Sequence, residues 1–398
     1  MSKVIVIGAG ASGVIAALKA SEKNEVILVD SNDKIGKKIL LTGNGRCNYW
    51  NEFISLDKYN TDNQEKLESI LNHKEETFDY LLKLGIYPKK KNEYFYPASN
   101  QAFSVREIFD SELKKRNIKI ITNFKVDNIK KLNNGFEIIN NEEKLICDKL
   151  IIATGSKAYP KTGSEGFFFE MADSFDLKMN PVLPSLTSLK TDDTLFKDLS
   201  GIRTDAKVSL YIDNTFIKED EGEVQFTDNG ISGICVFNIS SNASKALYLN
   251  KNVEVRINLL PYLNEDFISF MEKRNKLIPN HTIYELFESI FNYKLINVLF
   301  KKTKISFNAH WESLTSKEKE LLKDNITNFY VKIIDIGSFD KAQVCTGGIS
   351  LDEINESMEI NKIPDLYLVG EVLDVDGICG GFNLAFAFIT GYIAGKDI

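Results

Sequence analysis

Residues 3–13 read KVIVIGAGASG, a short apolar run that leads into three glycines at the spacing Gly-x-Gly-x-x-Gly. The run Lys3–Ile7 predicts a buried strand, and Val14–Ser21 predicts the helix that follows it. A second apolar strand, Glu25–Val29, ends at Asp30. This strand–helix–strand order is the context in which the glycine pattern indicates a dinucleotide-binding turn.

Each glycine of this turn has its own expected role. Gly8 allows the tight turn, Gly10 lets the backbone approach a pyrophosphate, and Gly13 lets the helix pack closely on the strand. The N-terminus of the helix supplies free N–H groups and a positive dipole end for phosphate. Asp30 is placed to accept hydrogen bonds from ribose hydroxyls.

The composition indicates a folded protein of more than one domain. The chain has 398 residues, 43% hydrophobic and 26% charged, so two or three globular domains are expected. A net charge of −7 argues against a general polyanion binder. Five cysteines without a CxxC pattern, and no signal peptide, predict a reducing, cytoplasmic setting. We expect no metal site.

One uncharged stretch, residues 377–395, has about the length of a membrane-spanning helix. It contains five glycines and Asn383, and two aspartates precede it closely. A glycine-rich turn that opens a buried helix explains this composition better than a membrane span does. We therefore expect no membrane segment.

Apolar strands of the nucleotide-binding type occur near both ends of the chain, at 150–155 and 366–371. Between them, residues 207–258 alternate as strands do, and residues 264–325 show helical spacing. The sequence therefore predicts an α/β fold in which both chain ends form one Rossmann-like domain with insertions. The predicted parts are a dinucleotide-binding domain (1–190 and 335–398), a β-rich insertion (191–258 and 326–334) and a helical insertion (259–325).

The glycine turn with Asp30 fits NAD or FAD, and three further features favour FAD. The strand that ends in Gly370-Glu371 would bring a carboxylate to the ribityl chain. Residues 380–383, GGFN, open a helix whose N-terminus would stabilise the negative charge that reduction places on the flavin N1/C2=O edge. The third feature is the loop 42–48, TGNGRCN, which gathers glycines, a guanidinium and an amide.

Nearly the whole chain resembles the BaiN/YhiN-type FAD-dependent oxidoreductases. The matching motifs are GAGASG (8–13), GKKILLTGNGRCN (36–48), GEVQFTDNGISG (222–233) and the glycine-rich segment 347–391. The resemblance implies FAD held by the first and last segments, with a β-barrel-like insertion that carries a helical insertion. It also implies that the main chain at Val126 meets the adenine and that residues 153–155 close over the dinucleotide.

In the loop 42–48, Gly43 and Gly45 would let backbone N–H groups approach FAD, and Asn48 would hydrogen-bond along the ribityl–flavin edge. Arg46 offers a forked cation to phosphate or flavin, although pairing with an internal carboxylate is the alternative. The complete set of expected cofactor-binding residues is Gly8, Gly10, Ala11, Ser12, Gly13, Asp30, Lys38, Gly43, Gly45, Arg46, Cys47, Asn48, Val126, Ala153, Thr154, Gly155, Gly370, Glu371, Gly381, Phe382, Asn383 and Leu384.

The chain departs from the family pattern at four positions. Asp228 and Ile234 stand where the family commonly has His and Pro, which puts a substrate-side role of that loop in doubt. Cys345 and Cys379 stand where relatives often have Thr. With Cys47, these thiols lie in loops that we expect to converge on the flavin, either as small packing residues, which we favour, or as a redox-active pair.

The leading functional hypothesis is an enzyme in which FAD takes a hydride from NAD(P)H and passes it to an electron-poor C=C bond. The resemblance implies steroid-like enones or a uridine of ribosomal RNA as acceptors. No second glycine fingerprint follows residue 155, so we expect no separate NAD(P)H domain. Tyr159, Asp228 and Cys379 are weak candidates for a proton donor, and the catalytic residues stay unknown.

Two alternatives remain open. A ribosomal RNA uridine reductase would use basic segments near aromatic residues, at 89–96 or 301–304, although we favour a solvated loop for 89–91. A non-catalytic flavin-binding protein has no positive sign in the sequence. The substrate, small molecule or RNA, and the oligomeric state are not indicated.

Overall fold

A computed structural model describes residues 1–141 and 143–398 of the chain. Contacts divide it into two units, the first of residues 1–183 and 343–398 and the second of residues 184–342. The second unit therefore takes in short segments that we had placed in the FAD-binding domain. The reason is that strands Leu189–Lys190 and Asp335–Ile336 pair with each other in the sheet of the second unit.

The helices and strands are numbered in chain order. The helices are α1 (Ala11–Ala20), α2 (Gln64–Leu71), α3 (Lys74–Lys83), α4 (Ala102–Lys115), α5 (Phe167–Met171), α6 (Phe196–Leu199), α7 (Ile234–Tyr248), α8 (Phe267–Leu277), α9 (Ile283–Phe287), α10 (Tyr293–Thr303), α11 (Ser316–Thr327) and α12 (Phe382–Asp397). The strands are β1 (Lys3–Ile7), β2 (Glu25–Val29), β3 (Trp50–Asn51), β4 (Tyr59–Asn60), β5 (Pro88–Lys91), β6 (Tyr94–Pro97), β7 (Lys119–Ile121), β8 (Asn128–Lys131), β9 (Phe136–Asn140), β10 (Glu143–Cys147), β11 (Lys149–Ile152), β12 (Met179–Ser185), β13 (Leu189–Lys190), β14 (Arg203–Ile212), β15 (Thr215–Thr227), β16 (Gly230–Ser232), β17 (Val253–Asn258), β18 (Phe329–Ile333), β19 (Asp335–Ile336), β20 (Val344–Ile349), β21 (Leu366–Leu368) and β22 (Asp376–Gly377).

The first unit is built on a five-stranded parallel sheet in the order β21-β11-β1-β2-β7. Its central strand β1 is buried from Val4 to Ile7, as expected for a parallel sheet covered on both faces. The α/β class and the Rossmann-type arrangement are thus confirmed. Helix α1 begins at Ala11, three residues earlier than predicted, because the chain turns directly into the helix at Gly10.

Helices α1 and α12 pack so closely that the backbone of one lies against the backbone of the other. A Cβ atom added at Gly391 would lie 2.3 Å from the carbonyl oxygen of Ser12, and one at Gly395 would lie 2.6 Å from that of Ala16. The glycine-rich stretch 377–395 is therefore a buried helix with a glycine turn before it, as predicted. In the described part of the chain, no helix combines the length and apolarity that crossing a membrane requires.

Residues 88–97 form an antiparallel hairpin of β5 and β6, so the lysines at 89–91 are solvent-exposed as we favoured but lie on a strand and not in a loop. The loop prediction was wrong because the lysine run pairs with the aromatic segment that follows it, and the lysine run alone does not indicate this pairing. Phe95 lies 5.5 Å from the Phe78 ring, so one face of the hairpin packs on the core. This contact holds the hairpin in place.

The second unit contains a seven-stranded antiparallel sheet in the order β18-β17-β14-β15-β16-β13-β19. Its two edge strands, β18 and β19, are separated in sequence only by Ile334. The sheet must therefore curve round until its edges meet, which gives the barrel-like form. Helices α8 to α11 share the hydrophobic core of this sheet, so the β-rich and helical insertions form one unit.

The second basic segment of the sequence, 301–304, lies in this unit and is largely engaged. Lys301 pairs with Asp198 at 2.6 Å. Lys302 lies 4.2 Å from the centre of the Phe329 ring, and burial lowers the pKa of its amine. This segment therefore offers few cations to a nucleic acid.

Candidate functional site

The first unit carries a deep cleft at the carboxyl ends of β1, β2 and β11, which is where open α/β sheets bind their ligands. Its volume is about 1370 Å³, including the part that is open to solvent. Thirteen of the sequence-predicted residues line this cleft: Gly8, Gly10, Ala11, Ser12, Asp30, Lys38, Val126, Ala153, Thr154, Gly155, Glu371, Asn383 and Leu384. Residues from both ends of the chain thus meet in one cavity.

The glycine turn forms one wall of the cleft, and its three glycines differ in the space around them. Gly8 has φ +104°, and a Cβ there would lie 2.3 Å from the carbonyl oxygen of Ala153. A Cβ at Gly13 would lie 1.8 Å from the carbonyl oxygen of Gly8. A Cβ at Gly10 would meet no atom within 4 Å. Gly10 therefore leaves open space in the cleft where a diphosphate fits.

Asp30 is held firmly at the end of β2. Its Oδ2 accepts from the N–H of Ala9 at 2.6 Å, and its Oδ1 accepts from the backbone N–H and the side-chain amide of Asn32 at 2.8 and 2.9 Å. A carboxylate has about four acceptor positions, so one remains for a ligand hydroxyl. This geometry fits a ribose.

The hydroxyl of Thr154 is the clearest sign that the cleft is built for a polar ligand. Its Oγ1 is buried and has no hydrogen-bond partner among residues 1–141 and 143–398. Buried hydroxyls in folded proteins are almost always hydrogen-bonded. Because Thr154 lines the cleft, a bound dinucleotide would supply the missing partner.

An ion pair joins two cleft residues that are far apart in sequence. Lys38 Nζ lies 2.7 Å from Glu371 Oε2, and both side chains are about one-quarter to one-fifth exposed. Glu371 Oε1 accepts from the backbone N–H of Cys345 at 3.0 Å. The carboxylate is thereby fixed at the cleft wall, in a position to accept from ligand hydroxyls.

Helix α12 begins at Phe382 with Gly381 as its N-cap residue, and no acidic side chain lies in its first turn. Asn383 accepts from the N–H of Gly377 and donates to its carbonyl oxygen, both at 2.8 Å. These bonds hold the glycine turn against the helix. The start of the helix, with Asn383 and Leu384 on the cleft, can stabilise negative charge on a ligand.

The loop 42–48 touches the cleft only through Thr42. Arg46 is exposed, its Nε donates to the carbonyl oxygen of Gly43 at 3.1 Å, and no carboxylate pairs with it in the described part of the chain. Asn48, with its amide nitrogen oriented to donate, reaches the carbonyl oxygens of Phe95 at 3.2 Å and Trp50 at 3.3 Å. The predicted residues that do not line the cleft are Gly13, Gly43, Gly45, Arg46, Cys47, Asn48, Gly370, Gly381 and Phe382.

The thiols near the cleft are not activated. Burial raises the pKa of Cys47 to about 12 and that of Cys345 to about 12. Almost none of either thiol is ionised at neutral pH, and the thiolate is the reactive form. Tyr159 and Cys379, which we considered as proton donors, do not line the cleft, and Asp228 lies in the second unit, between β15 and β16.

Some cleft residues were not predicted. Asn32 both holds Asp30 and donates to the carbonyl oxygen of Thr162 at 2.9 Å, and the acid-x-amide spacing after β2 was a usable signal. Several others lie inside the quoted motifs but were not singled out: Ala9, Gly36, Lys37, Ile39, Thr42, Val375, Phe386 and Ala387. Those from segments without a local motif include Phe124, Lys125, Thr162, Gly163, Ser164, Glu165, Phe167, Gln343 and Val344.

The chain is similar in sequence and in fold to several known proteins. The family described as HI0933-like protein Rossmann domain matches residues 2–397. The chain is 37% identical to the 3-dehydro-bile acid delta(4,6)-reductase of Clostridium scindens, over 100% of this chain and 98% of that protein. It is 28% identical to the ribosomal RNA dihydrouridine synthase of Escherichia coli, over 99% of this chain and 97% of that protein. A flavocytochrome c3 fumarate reductase in its open conformation shares the fold, with a TM-score of 0.51 and 15% identity over 99% of this chain and 77% of that one.

Proposed function

Since this chain belongs to the HI0933-like family of Rossmann-type flavoprotein oxidoreductases, we propose that it is an FAD-dependent reductase of an electron-poor C=C bond, with hydride supplied by NAD(P)H. The observation that carries the proposal is the full-length similarity to a relative named for a delta(4,6)-reduction. We also propose a cytoplasmic setting, because the five cysteines form no CxxC pattern.

The residues of the cleft fit FAD, and each would contact a different part of the cofactor. When bound, FAD supplies the hydride transfer itself. The backbone at Gly10 would leave room for the diphosphate, and Asp30 would accept from the ribose. Glu371, held by Lys38, would accept from hydroxyls of the ribityl chain, and the start of α12 would stabilise negative charge on the reduced flavin.

A second candidate function is the reduction of a uridine in ribosomal RNA. It is favoured by the similarity to a protein of that name over nearly the full length of both chains. Both candidate reactions add hydride to a C=C bond conjugated to a carbonyl group. They therefore need the same cofactor site and differ in the acceptor.

Anaerobic flavin spectroscopy tests both functions. The purified yellow protein is mixed with NADH or NADPH, and loss of the flavin absorbance reports the donor. Reduced protein is then mixed with a 3-dehydro-4,6-diene bile acid or with a uridine-containing RNA, and return of the absorbance reports the acceptor. We expect reoxidation by the bile acid. Reoxidation by the RNA alone would establish the second candidate, and failure of both acceptors would contradict the proposed chemistry.

A further inference from the structure

One face of the β5–β6 hairpin lies opposite the side on which Phe95 packs against Phe78. Lys89 pairs with Tyr96 and Lys91 pairs with Tyr94 across the hairpin. Cross-strand partners lie on the same face, and so do residues two apart on one strand. These two lysines and two tyrosines therefore share one side, which we call the hairpin face.

The opposite side of the hairpin is anchored. Phe95 packs 5.5 Å from the Phe78 ring and pairs with Trp50 of β3. Lys90 forms an ion pair with Glu52 at 2.5 Å. Because these contacts hold the hairpin from behind, the hairpin face is a fixed surface and not a loose loop.

The hairpin face is locally cationic on an acidic protein. Lys89 and Lys91 are exposed, and neither forms an ion pair with the residues that the structure describes. Arg46 adds a third exposed cation, with its guanidinium 5.6 Å from the centre of the Tyr96 ring. Glu93, at the turn, interacts electrostatically with its neighbour Tyr94, so the three cations of this region stand beside one carboxylate. The net charge of the whole chain is −7, so this cluster stands out.

The hairpin face adjoins the part of the cleft that Thr42 and Asn383 line. A Cβ added at Gly380 would lie 3.1 Å from a ring carbon of Tyr94, and Asn383, three residues further on, lines the cleft. Thr42 also lines the cleft and precedes Arg46 by four residues. At no more than about 3.6 Å per residue, these links span at most about 11 and 14 Å. A rigid ligand of a few rings can reach from the cleft lining to the hairpin face.

We propose that the hairpin face, with Arg46, binds the carboxylate of a small-molecule substrate whose rings lie against Tyr94 and Tyr96. The inference rests on the proposed function and names the substrate class: a flat, largely apolar enone with one anionic group. A guanidinium suits a carboxylate, and tyrosine rings suit flat apolar surface. Three cations match a single anionic group, whereas proteins that grip nucleic acid make more phosphate contacts.

The test compares two probes that differ only in charge. A 3-dehydro-4,6-diene bile acid and its methyl ester are titrated into the FAD-loaded protein, and the change in flavin absorbance gives a Kd for each. We expect the acid to bind about fivefold more tightly than the ester, since each exposed charge pair contributes modestly. In the Lys89→Gln/Lys91→Gln variant, which leaves Arg46 in place, this ratio should fall to about two.

The matched control is Lys83→Gln/Lys130→Gln, which removes two exposed lysines elsewhere on the first unit. It should keep the ratio of the unmodified protein. Equal affinity for acid and ester, a ratio that survives in the hairpin variant, or no binding of the acid overturns the inference. Displacement of the acid by a uridine-containing RNA, dependent on the two hairpin lysines, would overturn the choice of a small molecule. The titration needs no turnover, so failure to reduce the acid would count against the proposed function alone.

Discussion

Replacing Gly13 by alanine would place a methyl group where the backbone already lies. The added Cβ would be 1.8 Å from the carbonyl oxygen of Gly8 and 2.9 Å from the Cβ of Ala153. The first of these obstacles is main chain of the cofactor turn, so it cannot rotate away as a side chain would. Helix α1 or the turn must therefore move by more than 1 Å.

The expected loss of stability follows from two opposing effects. Overpacking of this kind costs about 1–3 kcal/mol, and the upper end applies because the obstacle is backbone. Alanine in place of glycine within a helix returns about 1 kcal/mol. A net destabilisation of about 2 kcal/mol lowers the Tm of a domain of 150–250 residues by about 4–8 °C.

The assay is thermal unfolding of the FAD-free protein, followed by measurement of bound flavin after reconstitution. The matched control is Gly10→Ala, because a Cβ at Gly10 meets no atom within 4 Å and its φ of −80° suits any residue. The control should cost under about 1 kcal/mol, the scale of a changed N-cap residue. If Gly13→Ala unfolds within 1 °C of the unmodified protein, or no earlier than the control, then close packing at this glycine is not what the turn requires.

Three further predictions concern the cofactor and the thiols. Gly10→Val should fold but purify without colour, because its side chain fills the space for the diphosphate; full flavin absorbance in this variant would contradict the assignment. Cys47 and Cys345 should resist alkylation at pH 8 in the native protein and react after denaturation, because pKa values of about 12 leave almost no thiolate at that pH; mass spectrometry of the labelled peptides decides this. An anaerobic dithionite titration should consume two electrons per FAD, unchanged in Cys379→Ser, and uptake of four electrons that falls to two in this variant would establish a flavin–disulfide pair.

The nucleotide-binding half of the fold could be predicted because its signals are local. The apolar run of β1, the glycines that follow it and Asp30 lie within one short segment, and each residue type has one dominant backbone or hydrogen-bonding role. The glycine-rich start of α12 could be predicted for the same reason. Patterns of this kind specify both an element and its contacts.

The loop 42–48 and the hairpin show where local reasoning fails. The side chains of Arg46 and Asn48 can hydrogen-bond to a flavin or to the protein backbone near their own loop. Which of the two they do depends on the packing of β3 and β6. The lysines of β5 have a low strand propensity, yet the aromatic strand beside them supplies the pairing. Such outcomes depend on contacts between segments, which spacing within one segment does not report.

The packing of α12 against α1 has a consequence for the newly made chain. When residue 342 leaves the ribosome, every residue of the second unit has been synthesised. The first unit at that moment still lacks β20, β21 and the helix whose glycines lie against the backbone of Ser12 and Ala16. The first unit can therefore complete its packing only after α12 has been synthesised, although β1 is made first. FAD can be bound only after translation has passed both elements. During that interval the apolar surface of β1 and α1 is exposed and can be bound by a chaperone.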